Sequence, residues 1–269
     1  MTVMFRWPLA AALAALALAP LVRAHYPMLI ASRAFAAPGD QVQIDFTIGH
    51  PYVNDRFAAE PPARVRVFPP RGAPEDATAK VKQEVLQWEG QQLPMSRLTY
   101  TLHKPGDYVF SYECRLFTEP PKRQVIDFAK IIIHVADGQM GWWRKVGTPI
   151  EIVPLTRPYA IVPGDTFRGQ VFEAGQPMLG GVVEGESYVD PIPDPMPELA
   201  FTRRAERTDP SGCFSMTLDR AGWWLLSVAT DGGPGEQGTL DRPAHRAVLW
   251  VYVGEPPPVK AQDAGEAPR

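Results

Sequence analysis

The sequence lacks the motifs of the common enzyme classes. It contains no Gly-x-Ser-x-Gly elbow, phosphate-binding loop, dinucleotide fingerprint or His-Glu-x-x-His helix. Cysteine is scarce as well, with only Cys114 and Cys213 in the chain. In an oxidising compartment these two can form one disulfide bond, or they can stay buried as free thiols, and spacing does not choose between these states. We therefore expect a protein that is not an enzyme.

Long apolar runs are also missing, except for one at the N-terminus. Arg6 precedes the run from Leu9 to Leu21, which is almost wholly alanine and leucine, and residues 22–24 (Val-Arg-Ala) supply the small residues that a signal peptidase reads. The run is shorter than the roughly 20 residues that cross a bilayer, and no cysteine stands at the junction to carry a lipid anchor. We expect cleavage after Ala24 and a soluble periplasmic product without a direct membrane span.

An excess of positive charge is absent too. The full chain has 27 basic and 30 acidic residues. Residues 1–24 contain Arg6 and Arg23 and no acid, so the mature chain keeps 25 basic residues and has a net charge of −5. Such a balance offers no attractive field for nucleic acid. The 30 prolines and 22 glycines are spread along the chain, which is typical of a turn-rich β protein.

Apolar residues alternate at period two in many short segments, which predicts β-strands. Val42, Ile44, Phe46 and Ile48 are the clearest case. Similar runs occur at 65–67, 98–102, 108–112, 126–135, 150–154, 167–172, 181–186, 213–218, 223–230 and 247–253. Turns such as Pro-Gly-Asp separate them, and only Thr78 to Leu86 offers a short helical turn or two. Short strands at regular spacing predict β-sandwiches.

The strand pattern breaks once, and the break predicts a linker. We expect an all-β chain with two tandem immunoglobulin-like or transthyretin-like β-sandwich domains, at 25–137 and 150–254, joined by a linker at 138–149. Residues 255–269 are rich in proline, charge and alanine, so they predict a disordered tail. The acidic, proline-rich segment Asp190–Glu198 predicts a stiff solvated loop, with cation binding as the alternative.

Signal cleavage gives His25 a free α-amine beside its imidazole, and these two nitrogens can chelate one metal ion. Their ordinary pKa values are about 6.5 for the ring and about 7.7–8.0 for the amine, so a divalent cation readily displaces both protons. Such donors suit nickel, cobalt, copper and zinc, and the donor type alone does not select the metal. The competing interpretation is that cleavage leaves a histidine there by chance.

His50 is the second predicted metal ligand. It follows the alternating strand in the segment 49–52 (Gly-His-Pro-Tyr), so it lies in a turn at the rim of a sandwich. The two histidines share an ion only if the N-terminal segment runs beside that rim, and otherwise His50 is a solvated surface residue. Further candidate donors are Met28, Asn54, Asp55 and Glu113. The histidines outside the predicted site are His103, His134 and His245.

Several longer motifs together resemble one family. They lie at 25–29 (His-Tyr-Pro-Met-Leu), 49–52, 105–108 (Pro-Gly-Asp-Tyr), 150–159, 175–180, 208–214 and 221–224. The chain resembles the bacterial domain of unknown function described as the periplasmic component of cobalt and nickel uptake systems, or nickel uptake transporter family protein. Its second half is similar to transthyretin-like and carboxypeptidase-regulatory-like sandwiches. The resemblance implies that His25 and His50 bind nickel or cobalt and that an inner-membrane metal transporter is the partner.

Two other functions are open on the sequence. An immunoglobulin-like module would bind a protein or a glycan without metal, through exposed aromatic residues. Trp142-Trp143 and Trp223-Trp224 are candidates for such a surface, although adjacent tryptophans more often pack in cores and interfaces. A copper enzyme or copper chaperone would use the same terminal chelate, with two imidazoles around one ion.

Overall fold

The computed structural model describes residues 25–119, 123–136, 138, 140–232 and 242–254. The predicted signal peptide and the predicted tail lie outside these ranges. Within them, no helix has the length and apolar character needed to span a membrane.

Nearly all of the regular structure is β. The strands are β1 (Tyr26–Ala31), β2 (Phe35–Ala36), β3 (Gln41–His50), β4 (Asp55–Phe57), β5 (Arg64–Phe68), β6 (Glu75–Asp76), β7 (Val81–Trp88), β8 (Gln91–Thr101), β9 (Gly106–Glu113), β10 (Phe117–Glu119), β11 (Arg123–Val135), β12 (Ile150–Pro154), β13 (Thr166–Glu173), β14 (Gln176–Pro177), β15 (Val182–Ser187), β16 (Arg203–Arg207), β17 (Cys213–Thr217), β18 (Gly222–Ala229) and β19 (Ala244–Val253). The helices are a 3₁₀ turn at Thr78–Lys80 and α1 at Leu199–Thr202. The predicted all-β class is confirmed.

These strands form three sheets. The first outer sheet has the order β1-β3-β8-β7, with β4 paired to β3. The middle sheet has ten strands in the order β16-β15-β18-β19-β11-β9-β5-β6, and both β2 and β10 pair with β11. The second outer sheet has the order β12-β13-β14, with β17 paired to β13. Packing of these sheets gives the sandwich architecture that the alternating strands predict.

Apolar residues cover both faces of the middle sheet. Along β11, Ala129, Ile131 and Ile133 belong to the core shared with the first outer sheet. Phe128 and Ile132 belong to the core shared with the second outer sheet. A strand buried on both faces has a continuous apolar sequence instead of an alternating one. This double burial explains the three consecutive isoleucines of β11.

The adjacent tryptophans of β18 follow the same rule. Trp223 packs in the first core and Trp224 in the second, so both rings are buried. They therefore do not form the exposed stacking surface considered for a glycan. Trp143, by contrast, is exposed.

The middle sheet is continuous across the predicted linker at 138–149. Strand β11 from the first half pairs in parallel with β19 from the second half, with Val125 opposite Ala244 and Ile131 opposite Trp250. The two predicted domains thus contribute neighbouring strands to one sheet, and the core on each face of it includes residues from both halves.

A buried ion pair connects the second outer sheet to β11 of the middle sheet. The Lys130 ammonium of β11 lies 3.4 Å from the Glu151 carboxylate of β12. Glu151 also accepts hydrogen bonds from the backbone N–H groups of Val146, at 2.9 Å, and Gly147, at 3.3 Å. Burial lowers the pKa of Lys130, and the charge of Glu151 partly offsets that effect. The Glu151 carboxylate therefore holds both the Lys130 side chain and the backbone at the end of the predicted linker.

The segment with predicted helical turns, Thr78 to Leu86, is helical only at Thr78–Lys80. The rest of it belongs to β7, which pairs with β8 along its whole length. Glu89 and Gly90 connect the two strands with φ values of +46° and +76°. Positive φ at both central residues defines a type I′ turn, which matches the twist of a β-hairpin. Pairing with β8 therefore overrides the weak helical tendency of the segment.

Both cysteines are free thiols. Cys114 is buried and Cys213 is half-buried. Burial raises the pKa of the Cys114 thiol well above its ordinary value. Cys114 therefore packs as a small neutral side chain.

Candidate metal site

The two predicted metal ligands lie side by side at one end of the first outer sheet. Strands β1 and β3 are antiparallel with Tyr26 opposite Gly49, so the next pair outward is His25 with His50. The two imidazole centroids are 5.0 Å apart, and the ring planes meet at 70°. The N-terminal segment thus runs beside the strand that ends in His50, which is the adjacency that a shared ion requires.

Strand β4 extends this row of side chains by one position. It pairs with β3 so that His50 lies opposite Asp55. The turn between them includes Asn54, whose φ is +49°. A Cβ atom on Gly49 would lie only 2.1 Å from the carbonyl oxygen of Asp55. The close approach of β4 therefore accounts for the glycine that precedes His50.

Asp55 holds His50 through two groups of that residue. The backbone N–H of His50 donates to Oδ1 of Asp55 at 2.8 Å. The ring Nδ1 lies 2.8 Å from Oδ1 and 2.9 Å from Oδ2 of the same carboxylate. With its side chain only 4% exposed, the His50 ring has its orientation fixed by these contacts.

The charge of Asp55 determines which ring nitrogen of His50 bears a hydrogen and which one can bind a metal ion. Burial acts to raise the pKa of Asp55, but the hydrogen bonds and charge of His50 outweigh it, and the pKa lies below its ordinary value. An ionised carboxylate only accepts hydrogen bonds, so in the neutral His50 ring Nδ1 carries the hydrogen and Nε2 presents the lone pair. That Nε2 atom is buried and has no hydrogen-bond partner in the described structure.

The His25 ring is half-buried against Phe57 of β4. The two ring centroids are 4.4 Å apart and the planes are tilted by 30°. Burial lowers the pKa of the His25 imidazole, and the neighbouring His50 lowers it further. The ring is therefore neutral in a wider pH range than a solvated histidine, which is the state that a metal ligand needs.

The backbone of His25 is held from the other end of the sequence. Nη2 of Arg246, on β19, donates to the carbonyl oxygen of His25 at 2.5 Å. A second bond from this last strand lies nearby, where the Trp250 indole N–H donates to the carbonyl of Pro27 at 3.0 Å. These two contacts fix the course of the N-terminal segment.

Arg246 is itself held by two buried carboxylates. Its guanidinium donates two bonds to Asp127, at 2.7 and 2.8 Å, and one to Glu119, at 2.8 Å. Burial opposes the charge of Arg246, but the two carboxylates outweigh burial and raise the pKa of the guanidinium. The fork geometry of arginine suits this three-way contact, which a lysine ammonium cannot reproduce.

The second half of the chain also supports the turn after His50. Glu186 of β15 is buried and accepts a hydrogen bond from the backbone N–H of Tyr52 at 2.8 Å. Arg203 donates to the same carboxylate at 3.1 Å. Burial raises the pKa of Glu186, whereas the contacts with Tyr52 and Arg203 act to lower it. The turn that presents His50 is therefore fixed by both halves of the protein.

The ring separation fits two nitrogen ligands on neighbouring positions of one ion. With metal–nitrogen bonds of about 2.0–2.1 Å, an imidazole centroid lies roughly 3.2 Å from the metal, and 5.0 Å between centroids then corresponds to an angle of about 100°. The described residues contain no group of three or more His, Cys, Asp or Glu side chains placed to hold an ion. Two imidazoles thus lie together at this site, and the predicted cleavage after Ala24 would add the α-amine of His25.

A model of the family "domain of unknown function (DUF4198)" matches residues 22–232. The chain belongs to the DUF4198 family. The matched part of this DUF4198 chain contains His25, His50 and Asp55 and ends before Arg246.

Several solved structures are distantly similar to the chain. No curated protein matches the DUF4198 chain. Among solved structures, a DUF4785 family protein from Legionella pneumophila has a TM-score of 0.28 and 10% identity over 76% of this chain, which spans about half (52%) of that protein. The D0-D1 domain of Intimin has a TM-score of 0.23 and 12% identity, over 86% of this chain and 100% of that one. The fibronectin(III)-like modules of Clostridium thermocellum CbhA have a TM-score of 0.20 and 9% identity, over 84% and 95%.

The other candidate donors do not join the site. Met28 is fully buried in the first core. The Asn54 side-chain oxygen accepts a hydrogen bond from Arg56 at 3.0 Å, which stabilises the turn. Glu113 lies on β9 in the middle sheet. His134, which the prediction left outside the site, pairs with a different carboxylate, Asp107, at 2.8 Å.

Two residues of the site are absent from the sequence-based prediction. Phe57 stands two positions after Asp55 and therefore lies on the same face of β4, so alternation along a recognised β3–β4 hairpin would have indicated it. Arg246 is 221 residues from His25. No local pattern connects them, and the parallel pairing of β11 with β19, together with the packing of β1 against the middle sheet, brings this arginine to the site.

Proposed function

We propose that the mature DUF4198 chain binds a divalent transition metal ion, nickel or cobalt, in the periplasm and passes it to an inner-membrane transporter. The observation that carries this proposal is the buried Nε2 atom of His50, which has no hydrogen-bond partner in the described structure. Its ring is oriented by Asp55 and lies 5.0 Å from the ring of His25. A carboxylate behind a ligating histidine is the usual second layer of a metal site.

Each donor atom has a defined role in the proposed complex. His25 supplies its α-amine and its ring, and His50 supplies Nε2, so the ion has three nitrogen ligands. All three must be unprotonated to bind. The lowered pKa of the His25 ring favours that state, and Asp55 leaves the lone pair of His50 on Nε2.

The position of the site suits transfer better than permanent storage. His25 is half-buried at the rim of the first outer sheet, and three protein nitrogens leave other positions of the ion to water or to a second molecule. An ion bound in this way can be released to a stronger acceptor without unfolding the protein. The proposed role is therefore non-enzymatic, in agreement with the absence of catalytic motifs from the sequence.

The α-amine provides the decisive test of metal binding. Isothermal titration calorimetry with nickel and cobalt should compare the mature protein, which begins at His25, with the same protein carrying one extra N-terminal residue. The extension converts the amine into an amide, so tight binding should be lost while the fold is kept. Equal affinity of the two proteins would refute the terminal chelate and leave a metal-free interaction module as the better account.

Transfer to a transporter needs its own test. In the organism that makes this chain, deletion of the gene should reduce nickel accumulation when external nickel is scarce. Expression of the wild-type chain should restore accumulation, and a His50→Gln chain should not. Unchanged accumulation after deletion would contradict the transport role without affecting the binding site.

Copper handling is the second candidate, because two imidazoles lie together at one site. Three nitrogen donors also suit copper, and the ordinary affinity order places copper above nickel and cobalt at any such site. Tighter binding of copper in a titration therefore does not separate the two functions. Redox cycling of the bound copper with a reductant and oxygen would favour the copper function, and inert copper would favour metal transfer.

A further inference from the structure

A cavity of about 480 Å³ lies directly beside His25. Its walls include the rings of Phe46 and Phe57 and the side chains of Ile48 and Leu116. A volume of this size is typical of sites for small organic molecules. Phe57 and Leu116 are respectively 37% and 51% exposed, so the cavity opens to solvent while keeping an apolar surface.

Charged side chains also line this largely apolar cavity. Arg115 and Glu60 both line the cavity and both are exposed. In the described part of the chain, no ion pair engages either of them. Arg115 is thus available to bind a carboxylate of a ligand. Glu60 would repel a ligand that carries several negative charges.

The metal site and the cavity share His25, a proposed ligand, and Phe57, which packs against the His25 ring. An ion bound to the His25 ring would therefore lie at the wall of the cavity, whereas His50 lies outside its lining. A tetragonally distorted octahedral ion has two axial positions beyond the four of its square plane, and the proposed donor set fills three positions. The remaining positions are therefore open to water or to the two donor atoms of a chelating molecule.

We propose that this cavity binds a small organic chelator that arrives with the metal ion, so that the transported species is a metal–chelator complex. This inference rests on the proposed function. The chelator class that fits is a monoanion with one carboxylate near Arg115, a flat or branched apolar body between Phe57 and Leu116, and a donor atom directed at the ion. The ion would then be bound by the protein at one end and by the chelator at the other.

Pyridine-2-carboxylate is a suitable probe, because it combines an aromatic ring, a ring nitrogen and a single carboxylate. It should be titrated calorimetrically into nickel-loaded mature protein and into the metal-free protein. We expect binding to the nickel-loaded form to be at least about tenfold tighter, because only that form offers a coordination position. Metal analysis after dialysis should show that nickel stays on the protein.

Two variants separate the cavity from the metal site. Thr118 lines the cavity and is exposed, so Thr118→Trp should fill the cavity and weaken binding of the probe by about tenfold or more, with nickel affinity unchanged. Thr99→Trp, at an exposed position on β8 outside the cavity, is the matched control and should bind the probe normally. Arg115→Gln should weaken binding of pyridine-2-carboxylate but not of the neutral chelator 2,2′-bipyridine.

The possible outcomes distinguish this inference from the proposed function. If nickel binds but the probe only strips it from the protein, or binds equally to wild type and Thr118→Trp, the chelator cavity is refuted and metal binding stands. If nickel does not bind the mature protein, both proposals fail. Weaker binding of the probe to Thr118→Trp, with nickel affinity unchanged, supports the proposed chelator site in the cavity.

Discussion

Asp55 is the residue through which the structure fixes the chemistry of His50. Its carboxylate contacts both the backbone N–H and the ring Nδ1 of that histidine, and no other described side chain orients the ring by a hydrogen bond. Metal affinity should therefore depend on a residue that does not itself contact the ion.

Replacement of Asp55 by asparagine should lower nickel affinity by about 10-fold to 100-fold, the usual effect of removing a second-layer partner. The amide is similar in size but carries no charge, so the ring loses its strongest acceptor. Calorimetric titration of the mature protein measures the effect. Asp219→Asn, at an exposed carboxylate paired with Arg204, is the control and should bind nickel as wild type does. Equal affinities of all three proteins would contradict the role of Asp55.

Acid should weaken the metal-free fold through His25. Because burial and His50 lower its pKa in the folded state, the unfolded chain binds more protons than the folded chain just below about pH 6.5. The free energy of unfolding therefore falls as the pH falls through this window. Asp55, with a lowered pKa, adds a loss only at more acidic pH.

The measurement is urea unfolding of the metal-free mature protein at about pH 7.5 and about pH 5.5. Wild type should lose more stability between these values than His25→Gln, which has no titrating ring at that position. His103→Gln, at an exposed site, should behave as wild type. A His25→Gln protein with the same pH dependence as wild type would show that the shift at His25 is absent.

At the scale of strands, the sequence predicted the β3 element and its terminal histidine but not what lies beside them. Val42 to Ile48 alternate because one face of β3 packs in the first core, and this burial is visible as a pattern. The pairing of β1 with β3 depends on contacts between residues with no shared local signal. Strand β7 shows the same limit of prediction from local sequence. Its segment favours a short helical turn, but pairing with β8 through the type I′ turn at Glu89-Gly90 makes it a strand.

Arg246 links the last strand to the first, so its replacement should affect stability and metal binding together. Arg246→Lys keeps the charge but loses the fork that reaches Asp127 and the His25 carbonyl. We expect a loss of about 1–3 kcal/mol in the free energy of unfolding, as for a lost charged hydrogen bond, and weaker nickel binding because His25 is less restrained.

Urea unfolding and nickel titration of the same preparation measure the two effects. Arg204→Lys is the matched control, since Arg204 is exposed and its pair with Asp219 lies on the surface. A surface substitution of this kind should change stability by less than about 0.5 kcal/mol. If Arg246→Lys loses stability but binds nickel normally, the arginine supports the fold without positioning His25.

At the scale of the whole molecule, the shared middle sheet determines how the two halves behave. Composition and alternation predicted the sandwich class and the eleven runs that lie in strands, but not the shorter strands such as β2, β4, β6, β10 and β14. The parallel pairing of β11 with β19 was not predictable from either, because it joins segments more than 100 residues apart. Burial on both faces is visible in the sequence as the uninterrupted apolar runs in these two strands.

We expect the mature protein to unfold in one cooperative transition, because each half completes the middle sheet of the other. Glu151→Gln should lower the free energy of unfolding by about 3–5 kcal/mol, since it leaves the buried charge of Lys130 uncompensated. The double variant Lys130→Met with Glu151→Gln should recover part of this loss. Circular dichroism and tryptophan fluorescence should follow the same curve, and two separable transitions would contradict the shared sheet.

The central claim is that His25 and His50 bind the same metal ion. X-ray absorption spectroscopy of the nickel-loaded mature protein tests it most directly, because it reports the imidazole rings around the metal. Wild type should show two imidazole ligands with metal–nitrogen distances of about 2.0–2.1 Å, and His50→Gln should show one. A spectrum without imidazole scattering, or one that is unchanged in His50→Gln, would contradict the claim.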